Sequence, residues 1–443
     1  MSQATKATSL RVWLMLGAVL LLGAVLRFQA ISNTIIDHPI RADARVYYLA
    51  ALNLERWNIF SRAEPGPQAP APDAFVQPGL PLAISPFIEF PPTERMLFRF
   101  NTLQVLLGVA TIALTFALFR LFAGPSMALG AAALVALSPH LVVMTTYLLT
   151  ETLFTFLLTA GTALLAFALR DARTAPALAA GLLLGASALT RATTEYLPLF
   201  LLVALYPFCD ARRFRRTILP AAATALLAII AWKLRNLATI GSLGDPTLMI
   251  STLHHGMYPG FMFNAMPESL GAPYRFDPFT QQIDGAGSVL AELSRRAGAD
   301  PLLYLYWYLI GKPVSLLSWN MIDGIGDIFL YPVSASPYFD QPLFTFTREL
   351  IRWLHAPLSL AAIAGGLVAL LRPGWLDLDV AERRTVLLLV ALILYFFAIH
   401  AIGAPFPRYG IPLRPVIYGL GLFTFIRLGR CLLSSCQNRQ TER

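Results

Sequence analysis

Charge is what this sequence has least of. Only 13% of its 443 residues are Asp, Glu, Lys or Arg, and 56% are hydrophobic. A soluble chain carries roughly a quarter charged residues, so a water-soluble globule of this length is excluded. Cysteine is nearly absent, with Cys209, Cys431 and Cys436 alone. These three have no metal-ligand spacing and form no even framework, which excludes a disulfide scaffold or a zinc module. Glycine-rich phosphate loops, Gly-x-Ser-x-Gly elbows and His-Glu-x-x-His helices are all missing. Asp377-Leu378-Asp379 has the Asp-x-Asp form of nucleotide-sugar enzymes. It stands in a short loop with no nucleotide-binding pattern around it, and is set aside.

Long apolar runs are what the chain has in plenty. They recur from end to end near the roughly 20 residues needed to cross a hydrocarbon core. In lipid only helices and closed barrels satisfy their own backbone. The runs are continuous and rich in Leu and Ala rather than alternating, which predicts an all-α polytopic membrane protein. The first run, Leu10 to Ala30, lacks a small-x-small cleavage site and is read as a span rather than a signal peptide.

The net charge of +9 is placed, not spread. Arginines cluster at 170 and 173, at 212, 213, 215 and 216, at 383 and 384, and again from 427 onward. This is the bias of cytoplasmic loops. It forms no stripe interleaved with aromatics, so nucleic acid is not an expected partner. Anchoring the map on these clusters predicts about ten spans: 10–29, 97–119, 125–143, 149–169, 175–190, 194–209, 217–235, 348–371, 385–403 and 411–428. Pro139 and Pro198 are expected to bend or interrupt two of them. Residues 302–331 read as interfacial or re-entrant. The chain thus divides into a transmembrane module over 1–235, an extracytoplasmic and interfacial segment over 236–347, and C-terminal helices with a tail over 348–443. A first outside loop lies at 30–96. Both outside segments are rich in turn formers.

Chemistry-bearing residues gather where those segments meet helix ends. Asp43 and Tyr47 are four apart on a predicted helix from 43 to 57 and share a face; Tyr48 adjoins them, and Arg41 precedes them. A capping role for Asp43 is the competing structural account. Glu151 opens a span, where an acid is either functional or favoured by the helix dipole, with Thr150 as a cap. Arg191, Arg235, Lys312 and the Arg408-Tyr409 pair lie at outer helix ends. Singly each cation suits an interfacial role, and together they suit an anionic phosphate. His254 and His255 are adjacent, a weak metal signal and more in keeping with a hydrogen-bonded loop. No motif requires a cofactor, and a divalent metal is left open.

With these residues in view, the chain resembles the GT-C superfamily of membrane glycosyltransferases, in its bacterial branch related to protein O-mannosyltransferases and the lipid A aminoarabinose transferase. The resemblance rests on Asp43-x-x-x-Tyr47-Tyr48, Thr150-Glu151 before Leu153-Phe154, Gly185 to Arg191, Trp232 to Asn236, and Arg408-Tyr409-Gly410-Ile411-Pro412. It implies a bacterial inner-membrane enzyme facing the periplasm or exterior. Such an enzyme moves a sugar from a polyprenyl-phosphate donor to an acceptor hydroxyl on a lipid, glycan or protein. Within that resemblance Asp43 maps to the general base, Glu151 to a second acid, and Arg235, Lys312 and Arg408 to phosphate holders. Arg41 or Arg45 is expected to keep Asp43 ionised. His254-His255 departs from the family's Asn-rich sequence there. Competing functions are a transporter or flippase of lipid-linked sugars, and a lipid-linked glycan polymerase or ligase.

Overall fold

The computed structural model describes residues 3–322 and 326–441. The side chains of Cys431 and Cys436, and those of the basic tail beyond Gly429, lie outside the described part. Ten apolar helical segments run back and forth through the molecule. Seven are long enough to cross a bilayer: α1 (Gln3–Asn33), α3 (Glu94–Arg120), α6 (Glu151–Asp171), α9 (Ala211–Ile240), α12 (Pro342–Leu371), α13 (Val380–Ile402) and α14 (Pro407–Gly429). An eighth is the bent pair α4 (Pro125–Leu137) and α5 (Pro139–Thr146), and two are shorter, α7 (Thr174–Thr190) and α8 (Ala192–Phe208). Between them lie α2 (Ala42–Trp57), α10 (Thr247–Gly256) and α11 (Ala286–Ala299). Among the described residues seven or eight of the ten expected spans thus have the length to cross a bilayer, and the other two expected spans are shorter apolar helices. The protein is an integral, multi-pass membrane protein.

Proline explains two local shapes. Pro139 turns the chain by 56° between α4 and α5, because its ring removes the N–H that Val135 would otherwise receive. The orphaned end is served by Arg27, a fully buried cation in the C-terminal part of α1. Its guanidinium donates to the carbonyls of Val135 and Ala136, both at 3.2 Å. A charge at that depth is tolerated because unpaired carbonyls need it. Pro198 follows an interruption of its segment, a turn at 195–196, rather than a sharp bend. It sits in the first turn of a helical stretch beginning at Leu197, where a missing N–H costs nothing.

The basic clusters end up together at one end of the bundle, each on helix-terminal carbonyls. Arg170 donates to Leu121 at 3.2 Å, Arg213 to Leu169 and Arg170, and Arg384 to Phe208 at 3.3 Å. Asp379 caps α13 in a box with Glu382. The Asp-x-Asp stretch therefore leads into a helix start, with Asp379 as its cap. The opposite end carries the two long connecting segments, which hold α2, α10 and α11. A short antiparallel pairing, β1 (Ile35–Ile36) with β2 (Val333–Ala335), ties the first of them to the second.

Residues 301–316 form a helix with a π-turn over Trp307–Gly311 and a face of exposed Leu302, Leu305, Leu309 and Val314. At 1.5 Å per residue it reaches about 24 Å, short of a bilayer core, in line with an interfacial element. The dominant core is built from α1, α3, α4, α6 and α14. Their close approach depends on small residues: a Cβ at Gly421 would collide with the Leu358 carbonyl, and one at Gly181 with that of Ala221.

Candidate active site

Four chain segments meet at the end opposite the arginine clusters: the start of α2, the start of α6, the end of α7 and the start of α14. Each delivers a charged side chain. Asp43 lies in the first turn of α2, whose N-cap is Arg41. Its carboxylate pairs with Arg408, with Oδ2 2.8 Å from Nη2. Nearly half of the Asp43 side chain, 46%, stays exposed. Glu151, the first residue of α6, is 2% exposed and accepts from Arg191 Nη1 at 2.8 Å. Thr150 makes no side-chain cap there.

The two ion pairs share one ring. The Tyr409 phenol has the Arg191 guanidinium 4.1 Å from its centroid and the Arg408 guanidinium at 5.2 Å. Each contact adds a cation–π attraction of about 0.5–2 kcal/mol, depending on desolvation. Tyr47, one turn beyond Asp43, is within electrostatic reach of all four charged groups. Burial and then the Asp43 carboxylate push its phenol well above the usual range. Tyr47 therefore stays neutral and can donate a hydrogen bond. The Arg408 guanidinium holds Asp43 below the ordinary carboxylate range, with Arg191 helping and burial opposing.

That result corrects the sequence expectation for which arginine does this. Arg45 is engaged with Glu64, at 2.8 Å, and Arg41 lies over the Tyr331 ring at 5.7 Å. Both point away because α2 places them on other faces than Asp43. The arginine that matters lies 365 positions away in sequence.

Other singled-out residues have structural partners. The Tyr48 hydroxyl donates to the Glu89 carbonyl at 2.7 Å. Arg235 donates to the Asp73 carbonyl at 3.0 Å and stacks near Trp232. Lys312 is 1% exposed and its ammonium donates to Ala401 at 2.7 Å and Gly403 at 2.9 Å, closing the C-terminus of α13. His254 joins a buried chain in which its Nε2 meets the Tyr258 hydroxyl at 2.7 Å, and that hydroxyl donates to Asp277 at 2.6 Å. His255 meets the Gly271 carbonyl at 3.2 Å and packs on Phe406. Burial lowers its pKa to about 4, so it is neutral at pH 7. It borders a cleft of about 390 Å³ with Ser251, Tyr274 and Thr280.

Two residues went unread in the sequence. Tyr331 hydrogen-bonds the Arg41 carbonyl at 3.3 Å and feels Asp43, and His400 packs on Tyr409 at 5.5 Å. Neither lies in a motif; only folding brings them in. Among the described residues no three His, Cys, Asp or Glu side chains converge. Both site carboxylates face guanidinium groups, so the donors present make ion pairs rather than a ligand cage for a divalent ion.

Comparison with known proteins places this architecture. The chain aligns with the archaeal oligosaccharyltransferase AglB from Archaeoglobus fulgidus, solved with an inhibitory peptide and a dolichol-phosphate. The TM-score is 0.52 at 16% identity, over 98% of this chain and 52% of that one. The scaffold is a GT-C fold. A second AglB structure, tethered to an acceptor peptide, gives a TM-score of 0.52 at 15% identity, over 96% of this chain and 53% of that one. ArnT from Cupriavidus metallidurans, bound to undecaprenyl phosphate, gives 0.40 at 14% identity, over 93% and 77%. This chain spans about half the length of the oligosaccharyltransferase. A family model described as dolichyl-phosphate-mannose-protein mannosyltransferase matches residues 95–234, a stretch that includes Glu151 and Arg191. No curated protein matches in sequence.

Proposed function

We propose that the protein is a membrane glycosyltransferase that moves a sugar from a polyprenyl phosphate to an acceptor hydroxyl, with Asp43 as general base. The observation carrying this reading is the paired arrangement itself: Asp43–Arg408 and Glu151–Arg191, both at 2.8 Å, clasping Tyr409 at one end of the bundle. An exposed carboxylate beside guanidinium groups suits a proton acceptor next to a phosphate. The family match over 95–234 and the fold shared with a dolichol-phosphate-binding enzyme support the donor class.

The chemistry is a single displacement. The acceptor oxygen bonds to the anomeric carbon as the bond to phosphate breaks, and the electron pair leaves on the phosphate. The acceptor proton passes to Asp43. Direct attack inverts the anomeric configuration. Arg408 offsets charge growing on the departing phosphate. A phosphate that takes part of the donor capacity of Arg408 also weakens its hold on Asp43, so donor arrival restores basicity to the carboxylate. Glu151 fixes Arg191, which in turn packs on Tyr409. The arginine-rich end is assigned to the cytoplasm by the positive-inside bias, which puts the ion pairs outside, in the periplasm of a bacterial cell.

The test is transfer by the purified chain from a polyprenyl-phosphate sugar, followed by mass spectrometry. Asp43→Asn is expected to lower turnover by about 10²–10⁴, with donor binding retained. Full turnover in that variant refutes the assignment of the base. Labelling of a cysteine placed at position 43 from the cytoplasmic side alone refutes the orientation.

A further inference from the structure

At the opposite end of the bundle, between the end of α8 and the start of α13, lies a cleft of about 340 Å³ that catalysis does not use. Phe208 and Leu387 form its apolar wall; Arg383, Arg384, Asp210 and the Cys209 thiol supply the rest. Arg384 Nε donates to the Phe208 carbonyl at 3.3 Å, which fixes that side chain in place. Arg383 Nε is buried with no hydrogen-bond partner, while its guanidinium lies 5.8 Å from the Phe208 ring centroid. A buried guanidinium N–H without an acceptor carries an unrecovered desolvation cost. Two adjacent guanidinium groups facing a cleft match a phosphate by forked hydrogen bonding. The one carboxylate in the cleft, Asp210, is already engaged, accepting from the Arg213 backbone at 2.9 Å.

We propose that this cleft binds the phosphate of an anionic phospholipid, with Arg383 and Arg384 on the headgroup and an acyl chain along Phe208 and Leu387. A free phosphate satisfies the same arginines. The apolar wall, and the position of the cleft at the end of the bilayer-length α13 beside the end of the shorter apolar α8, favour the lipid. Exposed Arg212, Arg215 and Arg216 on the adjoining α9 add to the attraction for an anionic leaflet. This site stands or falls independently of the glycosyltransferase reading.

The experiment is native mass spectrometry of the full-length protein titrated with phosphatidylglycerol or phosphatidylcholine. Maleimide labelling of Cys209 in a Cys431→Ser/Cys436→Ser background accompanies it. Phosphatidylglycerol should be retained in preference and should slow Cys209 labelling. Arg383→Gln and Arg384→Gln should each cut the preference by about fivefold. Asp210→Asn, which preserves the helix cap, should raise it and guards against a trivial folding defect. Equal retention of the two lipids overturns the proposal, as does a preference untouched by all three variants. Protection of Cys209 by inorganic phosphate to the same degree as by phosphatidylglycerol overturns the lipid assignment and leaves a free-oxyanion site.

Discussion

The Glu151–Arg191 pair offers the sharpest quantitative test, because Glu151 is buried, Arg191 is only 14% exposed, and the two come from different helix ends. Removing one partner of a buried, hydrogen-bonded pair strands the other charge, at a cost of about 3–5 kcal/mol. Glu151 is 2% exposed and one of its oxygens already lacks a partner, so Arg191→Gln leaves a carboxylate with little solvent to fall back on. That loss is softened because Glu151 opens α6, where the helix dipole favours an anion by about 0.3–2 kcal/mol. Glu151→Gln strands Arg191, which keeps its contact with the Tyr409 ring at 4.1 Å. Both single variants should therefore unfold at clearly lower temperature in detergent, followed by intrinsic fluorescence. The double variant, carrying no charge at either position, should recover much of the loss. The cycle then gives a coupling energy of the order of 1–3 kcal/mol. All three should lose transfer activity if Arg191 helps to hold the site. Strictly additive losses in the double variant refute the buried-pair argument, and full activity in it removes the pair from the site.

Three further outcomes follow from the same geometry. Arg408 holds Asp43 below its ordinary value of 3.8, so the pair stabilises the fold at all pH above that value and is lost only as pH falls through the lower folded one. The acid limb of the rate profile should accordingly lie below pH 3.8 in the native chain and move upward in Arg408→Gln; an unmoved limb rules out Asp43 as the titrating base. Lys312→Gln should lower stability by a few kcal/mol, since about 1.5–3 kcal/mol attaches to each hydrogen bond from a charged donor, while the apparent KM for the donor stays unchanged. A raised donor KM with unchanged stability would return Lys312 to the phosphate site. Gly181→Ala should depress the melting temperature, because the added methyl meets the Ala221 carbonyl where α7 crosses α9; no shift would mean that the helices move apart at no cost.

The scaffold was largely legible in the sequence because the bilayer dictates it. Continuous Leu and Ala runs give length, and arginines at 170, 213, 384 and 427 give the ends. Those same arginines prove to be the residues that complete helix-terminal carbonyls. Local proline chemistry was legible only in part. Pro139 announced a break, but nothing in the pattern told that Arg27, more than a hundred positions earlier, would satisfy the carbonyls it frees. Pro198 differed because its effect depends on whether it falls inside a helix or in its first turn, and hydropathy cannot resolve a boundary to that degree.

For the site, residue type was readable and partnership was not. An acid at the start of an outside helix and another at the start of a span are visible as Asp43 and Glu151. Near neighbours in sequence, Arg41 and Arg45, were the natural partners for Asp43, yet a helix sends residues two apart to different faces. Among the described residues the cations paired with Asp43 and Glu151 come from the ends of other spans, Arg408 and Arg191. The same logic sorts the remaining cations. Lys312 and Arg235 lie near the same end but are committed to carbonyls that irregular backbone leaves open. Among the cations singled out at this end, those facing Asp43 and Glu151 mark the candidate site, and those committed to carbonyls do not. Exchanging Asp43 and Arg408 for each other tests that rule directly. The swap preserves the pair, so it should retain stability while placing the base on the wrong helix, and transfer should vanish. Retained transfer in the swapped protein would show that the pair serves the fold alone.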